Sequence, residues 1–181
     1  MVLEHASGSC ALDIGCGTGH LALELLKRGF SVTAIDILQE MVEFTKQTTK
    51  GYDERVQIIR LKAEELDKLR PKMFDLIVCV DVLEHIQSDV QVLAGISDRL
   101  TERGRLLMVV PAHPFLYGIR DREMGHFRRY RRAEIRQKIT QCGLTLTKMR
   151  TWNVTGVLPY LISEKIFKRR VNETLRHSRR S

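Results

Sequence analysis

Residues Ala11 to His20 read Ala-Leu-Asp-Ile-Gly-Cys-Gly-Thr-Gly-His. A short apolar run carries an acid near its end, and glycine then recurs at every second position. A helical pattern follows, with Leu21, Leu23, Leu25 and Leu26 beside Glu24 and Lys27. The order is strand, glycine turn, helix. Glycine has no Cβ, so the backbone turns tightly there and lets a ligand come close. The helix that starts next presents unpaired N–H groups. Such a loop holds a nucleotide-like ligand against a strand end. The dinucleotide fingerprint G-x-G-x-x-G requires glycine at position 20. This chain has His20 there and Gly19 one place early. Asp13 precedes the loop, and an acid in a pyrophosphate cradle repels its ligand, so a cationic ligand is favoured.

Beyond this loop the chain alternates strand and helix patterns, which predicts an α/β fold with a mostly parallel sheet covered on both faces. The expected elements are a strand at Cys10–Ile14, a helix at Leu21–Arg28 ended by Gly29, a strand at Phe30–Asp36 and a helix at Gln39–Thr49. Strands follow at Val56–Leu61 and Phe74–Val80. The second contains a continuous Leu-Ile-Val-Cys-Val run, suited to burial on both faces. Then come a helix at Asp89–Leu100, a strand at Gly104–Val110 stopped by Pro111, a helix at Arg132–Gln141 and a sixth strand at Gly143–Met149.

The glycine loop with its preceding acid resembles motif I of the class I S-adenosylmethionine-dependent methyltransferases, and the likeness runs from about Ala11 to Arg150. It implies a three-layer α/β/α Rossmann-like fold and S-adenosyl-L-methionine as cofactor, with S-adenosyl-L-homocysteine as product. It also implies that Asp13 lies by the methionine moiety and that Gly15, Cys16 and Gly17 pass under the cofactor. Asp36 ends the second strand, 21 residues after Gly15, where a carboxylate can accept both ribose hydroxyls. Ile37 could pack on the adenine face. In similar enzymes a small residue and an acid after the third strand meet the adenine, which maps to Ala63 and Glu64, with Glu65 as the alternative. Phe74 to Ile86 reads Phe-Asp-Leu-Ile-Val-Cys-Val-Asp-Val-Leu-Glu-His-Ile. It resembles the fourth-strand motif of small-molecule methyltransferases, including the quinone-type O-methyltransferases. Asp81 and Val82 would leave the strand beside the reactive end of the cofactor, and Glu84 and His85 can face the substrate. The Asn/Asp-Pro-Pro-Tyr/Phe signature of base amino-methylation is absent, and no proline is followed by cysteine. Both absences argue against base methylation.

Methyl transfer is an in-line displacement on an already activated sulfonium, so alignment is the main task, and positioning can supply roughly 7–11 kcal/mol of the barrier. A hydroxyl acceptor also needs its proton removed, which histidine can do near neutral pH. His85, His113 and His126 are the candidates. Pro111 to Tyr130 follows the fifth strand, where ligands of open α/β sheets bind, and about twenty loop residues are usually functional or disordered. The loop resembles that of a bacterial and archaeal methyltransferase subgroup with Gly-His-x-Arg-Arg-Tyr. Arg129 offers a planar fork for a carboxylate or phosphate, and Tyr130 a ring and a hydroxyl. The expected catalytic set is therefore His85, His126, Arg129 and Tyr130, with an anionic acceptor; the alternative is that Asp121 and an arginine pair to pin the loop. The sequence assigns no metal ligands.

The 181 residues suit one domain, read as a methyltransferase domain over 1–150 and an amphipathic segment with a basic tail over 151–181. The four cysteines are scattered, which fits a reducing cytoplasm rather than zinc or disulfides. No signal-peptide pattern and no membrane-span pattern is present, so the expected location is cytoplasmic. Net charge is +8, and Lys165 to Ser181 alone holds seven basic residues against Glu173. Val154, Val157, Leu158, Leu161, Ile162 and Ile166 share one helical face ahead of this tail. That face suits peripheral contact with an anionic membrane, packing on the sheet, or a dimer contact. Both ends read short against the family, with a helix before the first strand and a last antiparallel strand unaccounted for; either the chain is a fragment or its C-terminus is unusual. The expected function is methyl transfer, on oxygen, to a small or lipid-linked anionic metabolite. Two other readings stay open: an RNA methyltransferase tracking phosphates with the tail, and a cofactor-binding module without turnover.

Overall fold

The computed structural model describes residues 9–69 and 73–151. Five parallel strands form one sheet: β1 (Cys10–Ile14), β2 (Ser31–Asp36), β3 (Val56–Arg60), β4 (Phe74–Val80) and β5 (Leu100–Val109), in the order β3-β2-β1-β4-β5. The helices are α1 (His20–Lys27), α2 (Gln39–Thr48), α3 (Asp89–Ser97), α4 (Ile119–Glu123) and α5 (Arg132–Gln141). The order turns back on itself between β1 and β4, so the crevice beyond their C-terminal ends is the place where such sheets bind ligands.

Burial explains the strand sequences. Leu12, Ile14, Ile35, Ile77 and Cys79 pack on one face with Leu83, Leu93 and Ile96. Ala11, Val32, Ala34, Leu76 and Val78 pack on the other with Ala22, Leu25 and Leu26 of α1. A strand covered on both faces has no solvent-side position for a polar residue, so β4 reads as an almost unbroken apolar run. The expected α/β architecture and parallel sheet are present.

Three expectations change. The helix expected to reach Leu100 stops at Ser97, and β5 begins at Leu100 rather than Gly104. The Phe74 amide donates to the Arg99 carbonyl at 2.8 Å, and Leu100 pairs with Phe74. The register then shifts, so that Leu76 faces Arg105. Gly104 sits in this irregularity, where a Cβ would come within 2.8 Å of the Phe74 carbonyl oxygen. Gly143–Met149, expected as a sixth strand, forms none: Leu144, Leu146 and Met149 pack on the core, but the segment has no ladder partner among the described residues. Alternating burial gives a strand its side chains, whereas hydrogen-bonded neighbours make it a strand. The third change concerns the Pro111–Tyr130 loop, which contains a 3-10 turn at Pro114–Leu116 and the short helix α4.

The amphipathic segment and basic tail expected over 151–181, and the membrane, dimer and nucleic-acid contacts read from them, lie outside the described residues apart from Thr151. Among the described residues no helix is long and apolar enough to cross a membrane.

Candidate active site

The loop after β1 is hooked over the end of β2, because the amides of Gly15 and Cys16 both donate to the Ile35 carbonyl at 2.9 and 3.0 Å. Gly15 has φ +71°, and a Cβ there would lie 2.3 Å from Cγ2 of Val82. Glycine at this position lets the exit of β1 lie directly against the exit of β4. Gly19, with φ +80°, meets α2 in the same way, since its Cβ would sit 2.8 Å from the Thr45 Cα. Around Gly17, by contrast, nothing lies within 4 Å of a Cβ, so the crest of the loop is open. The hydroxyls of Thr45 and Thr48 donate to the Gly17 and Thr18 carbonyls and fix the loop from below.

Two carboxylates face this cradle. Asp36 is 8% exposed; its Oδ2 accepts the Gly17 amide at 3.0 Å and its Oδ1 the Leu38 amide at 2.9 Å. A carboxylate oxygen can accept more than one hydrogen bond, so these contacts orient Asp36 without using it up. Asp13 is 2% exposed, and its Oδ2 has no hydrogen-bond partner. Burial, then the charge of Asp36, pushes its pKa up to about 7, against the opposing Ala22 amide. A buried carboxylate oxygen without a donor favours a ligand group that brings one. Cys16 is buried, and its Sγ lies 3.3 Å from the Thr45 hydroxyl, so its side chain packs against α2. Ile37, just past β2, is 52% exposed and available to a ring face. Ala63 is buried and Glu64 exposed at the start of a 3-10 helix (Ala63–Lys68) after β3. The sheet order puts the exits of β3, β2, β1 and β4 side by side, so the cofactor-binding residues expected from sequence line one edge.

Asp81 and Val82 follow β4. Asp81 adopts φ 51°, a left-handed conformation rare for a residue with a Cβ, and its amide donates to the Val109 carbonyl at 3.1 Å. Burial raises its pKa, while His126 and His85 work the other way. Glu84 lies in the 3-10 turn Leu83–His85. It is 1% exposed, and its Oε2 has no hydrogen-bond partner. Its pKa is pushed up to about 7, mainly by burial, with Asp81 and Asp121 adding to the rise and Arg129 and its own backbone opposing.

The loop after β5 folds back over this turn. The Phe127 amide donates to the Glu84 carbonyl at 2.7 Å, and the Tyr130 amide to the Pro111 carbonyl at 2.8 Å. The rings of His85 and His126 meet edge to face with centroids 4.6 Å apart. Glu84, His85 and His126 each bring one ligand-type atom, and these atoms lie within 4.8 Å of one another. His126 stands 41 residues after His85, so only the fold brings the three together. Burial and then His126 lower the pKa of His85, opposed by the Gly125 carbonyl and Asp81. His113, the third candidate, takes φ 63° and lies against the Phe115 ring at 5.5 Å.

Two expected catalytic residues have their polar atoms on partners within the protein. Arg129 Nε donates to Asp121 Oδ1 at 2.7 Å, and its Nη1 reaches the Ala112 carbonyl at 3.5 Å, so its fork is turned onto the loop itself. Tyr130 is 2% exposed, and its hydroxyl donates within a pair formed by the Leu83 carbonyl (3.1 Å) and Asp89 Oδ2 (3.0 Å). The alternative in which Asp121 pairs with an arginine is the one found. Sequence reasoning gave no role to Asp89 and none to Asp121 beyond that pairing; the signal for Asp121 was an acid five residues before a histidine and eight before an arginine.

Residues 12–106, just over half of the chain, match the family model described as "Methyltransferase domain". The chain is 31% identical over 105 residues to a ubiquinone biosynthesis O-methyltransferase of Rickettsia akari, a match covering 58% of this chain and 41% of that protein. It is 34% identical over 104 residues to the enzyme of the same name from Xylella fastidiosa, covering 56% and 42%. The matched segment is thus well under half of these relatives' length. Among solved structures, the YcgJ protein of Bacillus subtilis superposes with a TM-score of 0.70 at 24% identity, covering 83% of this chain and 68% of that one. The N-methyltransferase NodS of Bradyrhizobium japonicum, solved with S-adenosyl-L-homocysteine, superposes with a TM-score of 0.63 at 21% identity, covering 77% and 68%. At these identities the structural likeness concerns the fold.

Proposed function

The chain belongs to the methyltransferase domain family, and on that premise we propose that it transfers a methyl group from S-adenosyl-L-methionine to a hydroxyl oxygen of a small acceptor. The observation that carries this reading is the cradle at the β1–β4 switch point: an open glycine crest, an oriented Asp36, and the buried, unpartnered Oδ2 of Asp13. These residues fit the cofactor's two polar ends. Asp36 would hold the ribose hydroxyls, and Asp13 would receive the cationic amino group. Ile37, Ala63 and Glu64 would line the adenine. When bound, the cofactor supplies a methyl group already activated on a sulfonium.

The chain's own residues then have two tasks. The β4 exit, Asp81 and Val82, borders the place where donor and acceptor must align. Glu84, His85 and His126 stand on the acceptor side as groups that can take a hydroxyl proton. Oxygen as the accepting atom is supported by the ubiquinone O-methyltransferase relatives. A largely apolar or lipid-linked acceptor is supported by Phe115, Met124 and Phe127, exposed by 54–60% on the loop after β5. The anionic group expected from Arg129 loses its main support, because that guanidinium is held by Asp121.

Calorimetric titration of the folded chain with S-adenosyl-L-homocysteine tests the cofactor site, and Asp36→Ala should weaken binding at least tenfold without unfolding the protein. Absence of binding by the folded wild-type chain would sink the reading. A screen with methyl-labelled cofactor over fractionated cell extract then identifies the acceptor.

A further inference from the structure

We propose that His126 takes the proton of the acceptor hydroxyl on its Nε2, and that Asp121 is the positioning residue that keeps the other ring nitrogen, Nδ1, protonated. The hydroxyl acceptor rests on the methyltransferase reading above, whereas the state of the ring does not depend on it.

His126 Nδ1 lies 3.0 Å from Asp121 Oδ1, and the two side chains are 8% and 1% exposed. Arg129 Nε donates to the same oxygen at 2.7 Å, and the Gly118 amide donates to Oδ2 at 2.9 Å. Held between a guanidinium and a backbone amide, Asp121 is an ionised carboxylate, and an ionised carboxylate only accepts. The ring atom that faces it is therefore an N–H. A neutral imidazole has a single N–H, so the lone pair falls on Nε2. The partners, rather than any visible hydrogen, assign this tautomer. A buried carboxylate behind an imidazole also stabilises the cation that forms when the ring takes a proton.

Nε2 has no hydrogen-bond partner among the described residues and is not one of the buried atoms that lack one, so it reaches solvent. It does so beside the exit of β4. The His85 ring meets that of His126 edge to face at 4.6 Å, and Asp81 lies within electrostatic reach of both. The backbone fixes the loop at this point. The His126 amide donates to the Asp121 carbonyl at 2.8 Å, its carbonyl accepts the Tyr117 hydroxyl at 2.7 Å, and the Phe127 amide donates to the Glu84 carbonyl at 2.7 Å. The neighbouring candidates are less open. Glu84 is 1% exposed, and His85 is hydrogen-bonded to the Gly125 carbonyl.

The step balances without a further reactant. The acceptor O–H bond breaks and its proton passes to Nε2 of His126. The oxygen's electron pair forms the bond to the methyl carbon, and the carbon–sulfur pair stays on sulfur in S-adenosyl-L-homocysteine. The imidazolium, paired with Asp121, then returns its proton to water.

The test begins with the full wild-type chain, labelled with ¹⁵N. Two-bond ¹H–¹⁵N correlations at about pH 8.5 report which ring nitrogen carries the proton, and the signal missing in His126→Ala identifies the ring. His126 should be the Nδ1–H tautomer, and Asp121→Asn should shift it towards a mixture. Turnover is read with methyl-labelled cofactor on the cell-extract fraction that accepts the label. His126→Ala should lose at least a hundredfold in rate, as removal of a general base does, and added imidazole should restore at least tenfold. Asp121→Asn should lose at least tenfold in kcat, with the half-saturating amount of that fraction unchanged. S-adenosyl-L-homocysteine affinity, measured on every variant, reports the fold. An Nε2–H tautomer in the wild type would overturn the proposal, and so would His126→Ala turnover within threefold of wild type; both leave the methyltransferase reading standing. If no fraction accepts a methyl group, the transferase reading fails instead, and with it the role of His126 as base. The hold of Asp121 on the ring is then decided by the tautomer alone.

Discussion

Arg129 Nε lies 2.7 Å from Asp121 Oδ1, both side chains being largely buried in the loop after β5. Burial alone would raise the pKa of Asp121, but the bonds from Arg129, the Gly118 amide and His126 outweigh it and hold the carboxyl below its ordinary range. Breaking a buried pair from one side leaves an uncompensated charge, at a cost of about 3–5 kcal/mol. Asp121→Asn should therefore destabilise the protein by about that amount at pH 7, read by chemical denaturation. The sign with pH follows from the depressed pKa. The contribution of Asp121 is present above the ordinary carboxylate range and is lost as pH falls through the lower, folded value. The gap between wild type and Asp121→Asn should thus narrow in acid. A gap that is constant down to pH 3 would remove the charge pairing as its cause.

Tyr130 and Asp89 give the second prediction. The Tyr130 hydroxyl, Arg128 and Lys138 all converge on Asp89 Oδ2, tying the loop and α5 to the start of α3. Tyr130→Phe keeps the ring and removes the hydroxyl. It should cost about 1–2 kcal/mol in stability and leave S-adenosyl-L-homocysteine affinity within about twofold. A large fall in turnover with no change in stability would return Tyr130 to the catalytic set.

These two residues also mark how far the sequence could be read. The β1 loop and β4 were legible because one local pattern sets both conformation and burial there: glycines at alternate positions, and an apolar run between two acids. Arg129 and Tyr130 were legible as unusual but not in their roles, since their partners Asp121, Asp89 and Leu83 are 8 to 47 residues away and nothing local says which way a side chain turns. The same holds for Gly143–Met149, whose alternation is that of a strand while the neighbour that would complete a ladder is not encoded in the segment. The gathering of Glu84 and His85 with His126 is likewise a product of the loop folding back through the Phe127–Glu84 backbone bond.

Gly15 tests the cradle sterically. An alanine there meets Val82 Cγ2 at 2.3 Å and carries a φ of +71°. The left-handed conformation costs roughly 1–2 kcal/mol for a residue with a Cβ, and overpacking adds about 1–3 kcal/mol. Gly15→Ala should lower stability by a few kcal/mol and weaken S-adenosyl-L-homocysteine binding more than tenfold. Adding Val82→Ala removes the clash but not the φ, so the double variant should recover part of the stability. Full recovery would mean that the backbone conformation carries no strain, and no recovery that Val82 is not what the Cβ meets.

Asp13 carries the pH prediction for the cofactor site. Its folded pKa of about 7 lies above the ordinary carboxylate value, chiefly through burial and then through Asp36. Between about pH 4 and pH 7 the folded chain therefore holds a proton that the unfolded chain has released. Stability must fall as pH rises across that window, by about 2–4 kcal/mol in all. Asp13→Asn removes this slope, so the variant should be the more stable protein at pH 8 and lose that advantage near pH 5. Ligand binding should run in the opposite direction. A cationic amino group entering beside Oδ2 favours the ionised carboxylate, so affinity for S-adenosyl-L-homocysteine should rise up to tenfold per pH unit on approaching pH 7 and level off above it. In Asp13→Asn the affinity should be weaker and nearly flat. Calorimetry in buffers of different ionisation enthalpy reads the same event as a proton released on binding below pH 7. Wild-type affinity that stays flat from about pH 5.5 to pH 8 would separate Asp13 from the ligand's charge and return it to a structural role under α1.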